Sequence, residues 1–174
     1  ESGSKPHSVV DGKEVVMLCS NNYLNLSNHP RLMEGAIEAV KKYGAGSGSV
    51  RAIAGTLQIH KEVEKRLARF KRTEASLIYQ TGFAANSGLI PQLVGEGDIV
   101  ISDELNHVSI REGIRLSGAA RATYRHLDLN HLETLLKRST ATTKIIVTDG
   151  VFSQDGDIAP LPDLLGLAEL YDAT

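Results

Sequence analysis

From Ala75 onward, short apolar runs alternate with amphipathic stretches. That alternation predicts an α/β fold, a mostly parallel sheet with helices on both faces. Two further observations support it. Residues 98–102 and 144–148 are strongly apolar, as strands covered on both sides are. Polar, chemistry-bearing residues also recur just after the expected strand ends, where open α/β sheets bind ligands. The chain has 174 residues, 41% hydrophobic and 23% charged, which suffices for a real core.

The elements follow in order. Residues 1–7 form a polar lead-in. Asp11-Gly12 predicts a hairpin turn, with a strand over 14–18. Asn28-His29-Pro30 opens a helix, and Met33, Ala36, Ile37 and Val40 carry it to about Tyr43. Gly44-Ala-Gly-Ser-Gly-Ser49 is a loop, since so many glycines cannot hold a helix. Val63, Leu67 and Phe70 mark a helix over 57–71. Strands are then predicted at 76–79, 98–102, 122–124 and 144–148. Each is followed by a helix, at 83–94, 108–116, 129–137 and 161–171. The expected organisation is an N-terminal segment, 1–56, followed by a partial sheet domain, 57–174. No linker, repeat or low-complexity segment intervenes.

Composition narrows the function. Nineteen basic and 21 acidic residues leave a net charge of −2, which gives no electrostatic case for nucleic acid or an anionic membrane. Trp is absent, which argues against a base-stacking platform. No apolar run reaches the roughly 20 residues that cross a bilayer, and the polar start does not read as a signal peptide. One cysteine, Cys19, allows no internal disulfide and fits a reducing, cytoplasmic setting. Beside Leu18 in an apolar run, Cys19 is expected to be a buried, inert thiol rather than a nucleophile.

Four blocks carry chemistry. In Tyr79-Gln-Thr-Gly-Phe-Ala-Ala-Asn86, the Thr81-Gly82 turn opens a helix at Phe83. Free N–H groups and the positive helix end suit a phosphate, though an ordinary Thr/Gly cap would read the same. No Gly-Lys-Ser/Thr follows, so this is not the nucleotide P-loop. In Asn106-His107, the histidine is a base, a metal ligand, a flat partner for an aromatic cofactor, or simply a helix-terminal residue bonded to its neighbours. His126 and His131 lie in a different turn and helix, so no metal site is expected. Thr148-Asp149-Gly150-Val-Phe-Ser153 follows the clearest strand and places Asp149 and Ser153 on the same rim as Thr81 and His107. Asp149 also suits a turn cap. Ser20-Asn21-Asn22-Tyr23-Leu24 offers side-chain amides to a carboxylate, or an Asx turn. The loop from Gly44 to Arg51, Ser49 included, offers backbone N–H groups and a cation to an anion.

In chain order, with Ser20–Leu24 first, then Tyr79–Asn86, Asn106-His107 and Thr148–Ser153, the four blocks resemble the α-oxoamine synthases, fold-type I enzymes dependent on pyridoxal 5′-phosphate (PLP) that condense an amino acid with an acyl-CoA. The resemblance runs from about Val10 to Thr174. Asn25 departs from the glycine usual there, and Gln154 from the usual methionine. The resemblance implies the first half of an aspartate-aminotransferase-like large domain. It implies that Gly82 and Phe83 hold the cofactor phosphate with Thr81 beside it, that His107 stacks on the pyridine ring, and that Ser153 bonds near the phenolic oxygen. Asp149 supports them. Asn21 binds the amino-acid carboxylate, and Ser49 and Arg51 face the acyl-CoA. The complete enzyme is implied to be a homodimer.

Ser49-Val-Arg-Ala-Ile-Ala-Gly-Thr56, followed by His60-Lys-Glu-Val-Glu64, is most like the glycine C-acetyltransferases, with glycine and acetyl-CoA as substrates. The 8-amino-7-oxononanoate synthases, which use pimeloyl-CoA, share much of it. The family's Asp-Asp-x-His and Ser/Thr-Leu-Ser-Lys motifs do not occur in this chain, and its last lysine is Lys144. By itself the chain is therefore expected to be inactive and to self-associate. A non-catalytic binding module that kept this half of the fold is the competing expectation.

Overall fold

The computed structural model describes residues 3–174; Glu1 and Ser2, within the expected lead-in, lie outside the described residues. The chain packs as two compact units, Glu1–Ser76 and Leu77–Thr174. The expected division at residue 56 concerns the family's domain plan and stays part of the proposal below.

In the first unit, β1 (His7–Val10) and β2 (Lys13–Val16) form an antiparallel hairpin. Asp11 and Gly12 both take positive φ, 48° and 74°, as a type I′ turn demands. The second strand stops at Val16, short of the expected residue 18. Cys19 is exposed rather than buried, and Leu18 is 90% exposed. A two-stranded ribbon has no second layer to cover an apolar run. Helix α1 (Pro30–Tyr43) starts behind a His29 cap, and Lys41 and Lys42 complement its C-terminus. Its apolar residues Met33, Ile37 and Val40 stay more than half exposed. A π-helical turn, Arg51–Gly55, ends the glycine-rich loop, and α2 (Gln58–Lys71) follows.

The second unit holds the sheet. Strands β3 (Ile99–Asp103), β4 (Ala120–Tyr124) and β5 (Lys144–Val147) run parallel in the order β4-β3-β5. Helices α3 (Gly82–Leu93), α4 (Val108–Ser117), α5 (Leu129–Arg138) and α6 (Leu161–Leu170) cover it. Side chains alternate across the pleat, so one strand feeds two cores. Ile101 and Ile146 pack with Leu132, Leu136 and Leu164 of α5 and α6. Val100 and Ile145 pack with Ile90 of α3 and Ile110 and Ile114 of α4. This is the expected sheet with both faces covered, and it explains why β3 and β5 are apolar at successive positions.

Three boundaries depart from expectation. Residues 76–79 take no strand assignment, although their composition suits one; a strand needs a paired neighbour as well as β-prone residues. Strand β4 is longer than expected and starts at Ala120, because its register with β3 runs the full length, Ile99↔Ala120 to Asp103↔Tyr124. Strand β5 opens at Lys144 as expected but ends at Val147, one residue short of the expected 148, and the Lys144 Nζ donates to the carbonyls of Tyr171 and Asp172 at 2.8 and 3.4 Å.

The α3–α4 contact sets the position of the rim described next. A Cβ on Gly113 would lie 2.6 Å from the Asn86 carbonyl oxygen and 2.9 Å from Ile90 Cδ1. Only glycine allows the two backbones to approach so closely. No described helix is long and apolar enough to cross a membrane.

Candidate functional site

The carboxyl ends of β3 and β5 are tied by one side chain, Asn106, which is 4% exposed. Its Nδ2 donates to Ser102 Oγ at 2.9 Å and to the Val147 carbonyl at 2.7 Å. Its Oδ1 accepts the Asp149 N–H at 2.8 Å. Asp149 in turn accepts the His107 N–H through Oδ2, also at 2.8 Å. The strand ends and the two residues that follow them are thus held in one closed circuit.

His107 caps α4: its Nδ1 accepts the Ser109 N–H at 3.1 Å. The Ser109 hydroxyl lies 2.6 Å from the same nitrogen. Asn86 of α3 donates to that hydroxyl at 2.9 Å. This bond joins the N-terminal halves of α3 and α4, so the Thr81–Gly82 turn and His107 belong to the same end of the unit. Thr81 caps α3, accepting the Ala84 N–H at 3.0 Å. The N–H groups of Gly82 and Phe83 begin the helix, where no intrahelical acceptor exists. Nothing stands within 4 Å of where a Gly82 Cβ would be. The turn therefore leaves room on the Cβ side of Gly82 for a close backbone approach.

His107 and Ser153 line one recess of about 340 Å³, with Asn106, Arg111, Phe152 and Asp155 among its walls. The structure so brings together His107, Asp149 and Ser153, and links Thr81, Gly82 and Phe83 to them through Asn86. The remaining candidates belong to the first unit. Asn21 lines an open recess there, and its Oδ1 accepts the Tyr23 hydroxyl at 3.4 Å. Ser49 Oγ donates to the Val50 carbonyl at 3.5 Å. Arg51 is already engaged: Nη1 meets Glu64 Oε1 at 2.8 Å and Nε meets Thr56 Oγ1 at 3.2 Å. An anion that takes Arg51 has to compete with Glu64.

Sequence reading missed the role of Asp103 and His126. Asp103, 1% exposed, accepts the N–H groups of Leu105 and Leu127, at 2.9 and 3.0 Å. It also meets His126 Nδ1 at 2.9 Å, while Asp157 meets Nε2 at 3.2 Å. Phe152 packs edge-on to the imidazole, with centroids 4.4 Å apart. The Asp103 hydrogen bond, with that of Asp157 behind it, holds His126 above its ordinary 6.5. A raised folded value favours the charged ring in the native state. Its stabilisation is complete below pH 6.5 and is lost as pH rises through the folded value. Hydrogen-exchange protection at the Ile101 amide of this unit is expected to fall over that interval, and His126→Gln to flatten the slope. An identical pH profile in wild type and variant would refute this role. Tyr124 lies beneath the same corner, and burial pushes its phenol up to about 12, so it stays neutral near pH 7.

Among the described residues no group of three or more His, Cys, Asp or Glu gathers to hold a metal ion. The donors present do fit a phosphorylated aromatic cofactor. The N-terminal turn of α3 suits the phosphate, the His107 ring a flat partner, and the Ser153 hydroxyl a ring oxygen. Lys144 is not part of this donor set, since its Nζ is engaged by the carbonyls of Tyr171 and Asp172.

Comparison with known proteins places this geometry. The profile of the aminotransferase class I and II family matches residues 13–174. An 8-amino-7-oxononanoate synthase of Thermoanaerobacter pseudethanolicus is 55% identical over 175 residues, 99% of this chain and 44% of its own length. An 8-amino-7-oxononanoate synthase 1 of Bacillus subtilis is 53% identical over 174 residues, again 99% and 44%. Among solved structures, a serine palmitoyltransferase of S. paucimobilis with PLP and myriocin bound superposes with a TM-score of 0.94 at 34% identity, over 100% of this chain and 46% of that one. An 8-amino-7-oxononanoate synthase of Francisella tularensis superposes with a TM-score of 0.72 at 28% identity, over 86% and 41%. The chain spans less than half the length of the relatives it matches.

Proposed function

The chain belongs to the aminotransferase class I and II family, and from that premise we propose that it supplies the cofactor-phosphate and ring-stacking part of an α-oxoamine synthase of the 8-amino-7-oxononanoate type. The observation that carries this reading is the 53–55% identity over 99% of the chain to synthases of that name. The loop 49–56 pointed instead to glycine C-acetyltransferase. A loop of eight residues weighs less than identity along the whole chain, and the preference moves accordingly.

The product's name specifies the chemistry. A nine-carbon acid with a 7-oxo and an 8-amino group comprises a seven-carbon acyl unit and a two-carbon amine. Alanine is the amino acid that leaves those two carbons after losing its carboxyl as CO2. A C–C bond forms between the amino acid's α-carbon and the thioester carbonyl, the C–S bond breaks, and CoA leaves as its thiol. PLP supplies the electron sink for the α-carbon when it is bound. This chain's residues bind and orient. The Gly82 and Phe83 N–H groups take the phosphate, with Thr81 fixing their helix. His107 covers one ring face, and Ser153 donates to a ring oxygen from the wall of the same recess. Asp149 holds the His107 backbone. Within this proposal, residues 57–174 form part of the large PLP-binding domain. Asn21, Ser49 and Arg51 contact the substrates, and the complete enzyme acts as a dimer.

The test is complementation. The chain is produced together with the remaining portion of the Bacillus subtilis relative in the presence of PLP, and thiol release is followed. Alanine with pimeloyl-CoA is expected to exceed glycine with acetyl-CoA by about tenfold or more. The opposite preference would restore the acetyltransferase reading, and no release with either pair would refute both. In the same assembly His107→Ala is expected to lower turnover about 100-fold, and His107→Phe to keep PLP binding while losing turnover. Wild-type rates in both variants would remove His107 from the site.

A further inference from the structure

We infer that Ser109 and Asn86 are positioning residues that hold His107 in one tautomer, with its proton on Nε2. The backbone N–H of Ser109 lies 3.1 Å from His107 Nδ1, and a backbone N–H has no way to accept. Nδ1 is therefore the acceptor, and a neutral imidazole then carries its single hydrogen on the other nitrogen. The Ser109 hydroxyl adds a second hydrogen bond to the same nitrogen. It lies 2.6 Å from Nδ1, and its oxygen already receives a hydrogen from Asn86 Nδ2 at 2.9 Å. With Nδ1 an acceptor, the hydroxyl donates to it, and the Asn86 amide occupies one of the hydroxyl's lone pairs and holds it in that orientation. Ser109 is 1% exposed, so water does not compete for that bond.

The consequence lies on the far side of the ring. Nε2 then carries the hydrogen, on a residue that lines one recess with Ser153. His107 thus offers a donor there, suited to a carboxylate or another anionic oxygen, and not the lone pair that a proton-abstracting base or a metal ligand requires. This separates the readings that its sequence position left open. It also accounts for Asn86, which sits on α3 yet acts on a ring that caps α4. The inference rests on the PLP reading only for what occupies the recess. The tautomer itself is a property of the chain alone.

The experiment uses the 174-residue chain with 15N-labelled histidine and no cofactor, above pH 7. Long-range 1H–15N correlations distinguish the two neutral tautomers, and His107→Gln assigns the signal. The wild type is expected to show the Nε2–H pattern. Ser109→Ala is expected to shift the tautomer ratio by roughly tenfold toward Nδ1–H, the size a single hydrogen bond carries. Asn86→Leu should shift it less, in the same direction, and Ser109→Thr should restore it, which loss of packing alone would not do. An Nδ1–H pattern in the wild type would overturn the inference outright. So would an unchanged ratio in both Ser109→Ala and Asn86→Leu. Should Ser109→Ala fail to fold, the wild-type pattern and the Asn86→Leu ratio still decide. Failure of PLP to bind would damage the proposed function and leave this result standing.

Discussion

Replacing Asp103 with alanine is expected to destabilise the Leu77–Thr174 unit by about 2–4 kcal/mol, the cost of leaving hydrogen-bond donors without their buried acceptor. The carboxylate serves three groups at once: the N–H of Leu105, the N–H of Leu127 and the His126 ring. Alanine leaves two amides without their acceptor at a buried corner. It also releases Leu127, whose φ of 55° is a costly conformation for leucine that this hydrogen bond helps to hold. A domain of this size has about 5–15 kcal/mol in all, so the variant should sit near its unfolding threshold at 37 °C. Hydrogen exchange at the Ile101 amide reads this unit directly, whereas a whole-chain melt would mix two units. Asp103→Asn keeps an acceptor oxygen and should lose less. Exchange at Ile101 unchanged in Asp103→Ala would show that the corner is not what holds β3 to β4.

Gly113→Ala is expected to cost about 1–3 kcal/mol, and Gly113→Val more, through overpacking of α4 against α3. The added Cβ meets the Asn86 carbonyl oxygen at 2.6 Å, and backbone cannot rotate away as a long side chain can. The effect should reach function as well as stability. A shift of α3 stretches the bond from Asn86 to Ser109 and moves the Thr81–Gly82 turn with it. In the complemented enzyme, Gly113→Ala should therefore weaken PLP binding even below its unfolding temperature. Hydrogen exchange at the Ile101 amide, within the same unit, checks the first part, and PLP titration the second. A variant with wild-type stability would mean that the two helices have slack between them.

Much of this was legible in the sequence because it is periodic. The helical spacing of Met33, Ile37 and Val40 located α1, and the spacing of Val63, Leu67 and Phe70 located α2. The apolar run in β3 announced a strand covered on both faces. Periodicity says which face is apolar but not what covers it, so α1 was readable while its exposed stripe was not. It misleads where a β-prone segment has no ladder, as at 76–79. Of the site, the residues following strands were found because that position is general to α/β sheets. The groups that organise them were harder to see. Asn106 reaches Asp149 across 43 residues, Asn86 reaches Ser109 across 23, and Asp103 reaches His126 across 23. No local pattern encodes such pairs. Only position offers a signal, an Asn directly before the rim histidine and a second one closing the Thr-Gly helix turn.

The backbone of Thr174 bears on how the protein is handled. The Ile146 N–H donates to the Thr174 carbonyl at 2.8 Å, and the Thr174 N–H to the Lys144 carbonyl at 2.9 Å, so the residue already flanks Ile145 like a parallel partner. An affinity tag or fluorophore fused after Thr174 would start inside a hydrogen-bond ladder, one residue from the edge of β5. Its first residues decide whether that ladder survives. Extended, hydrogen-bonding residues prolong it, whereas a proline there supplies no donor. A crystallisation or display fusion at Thr174 needs a spacer chosen for its backbone.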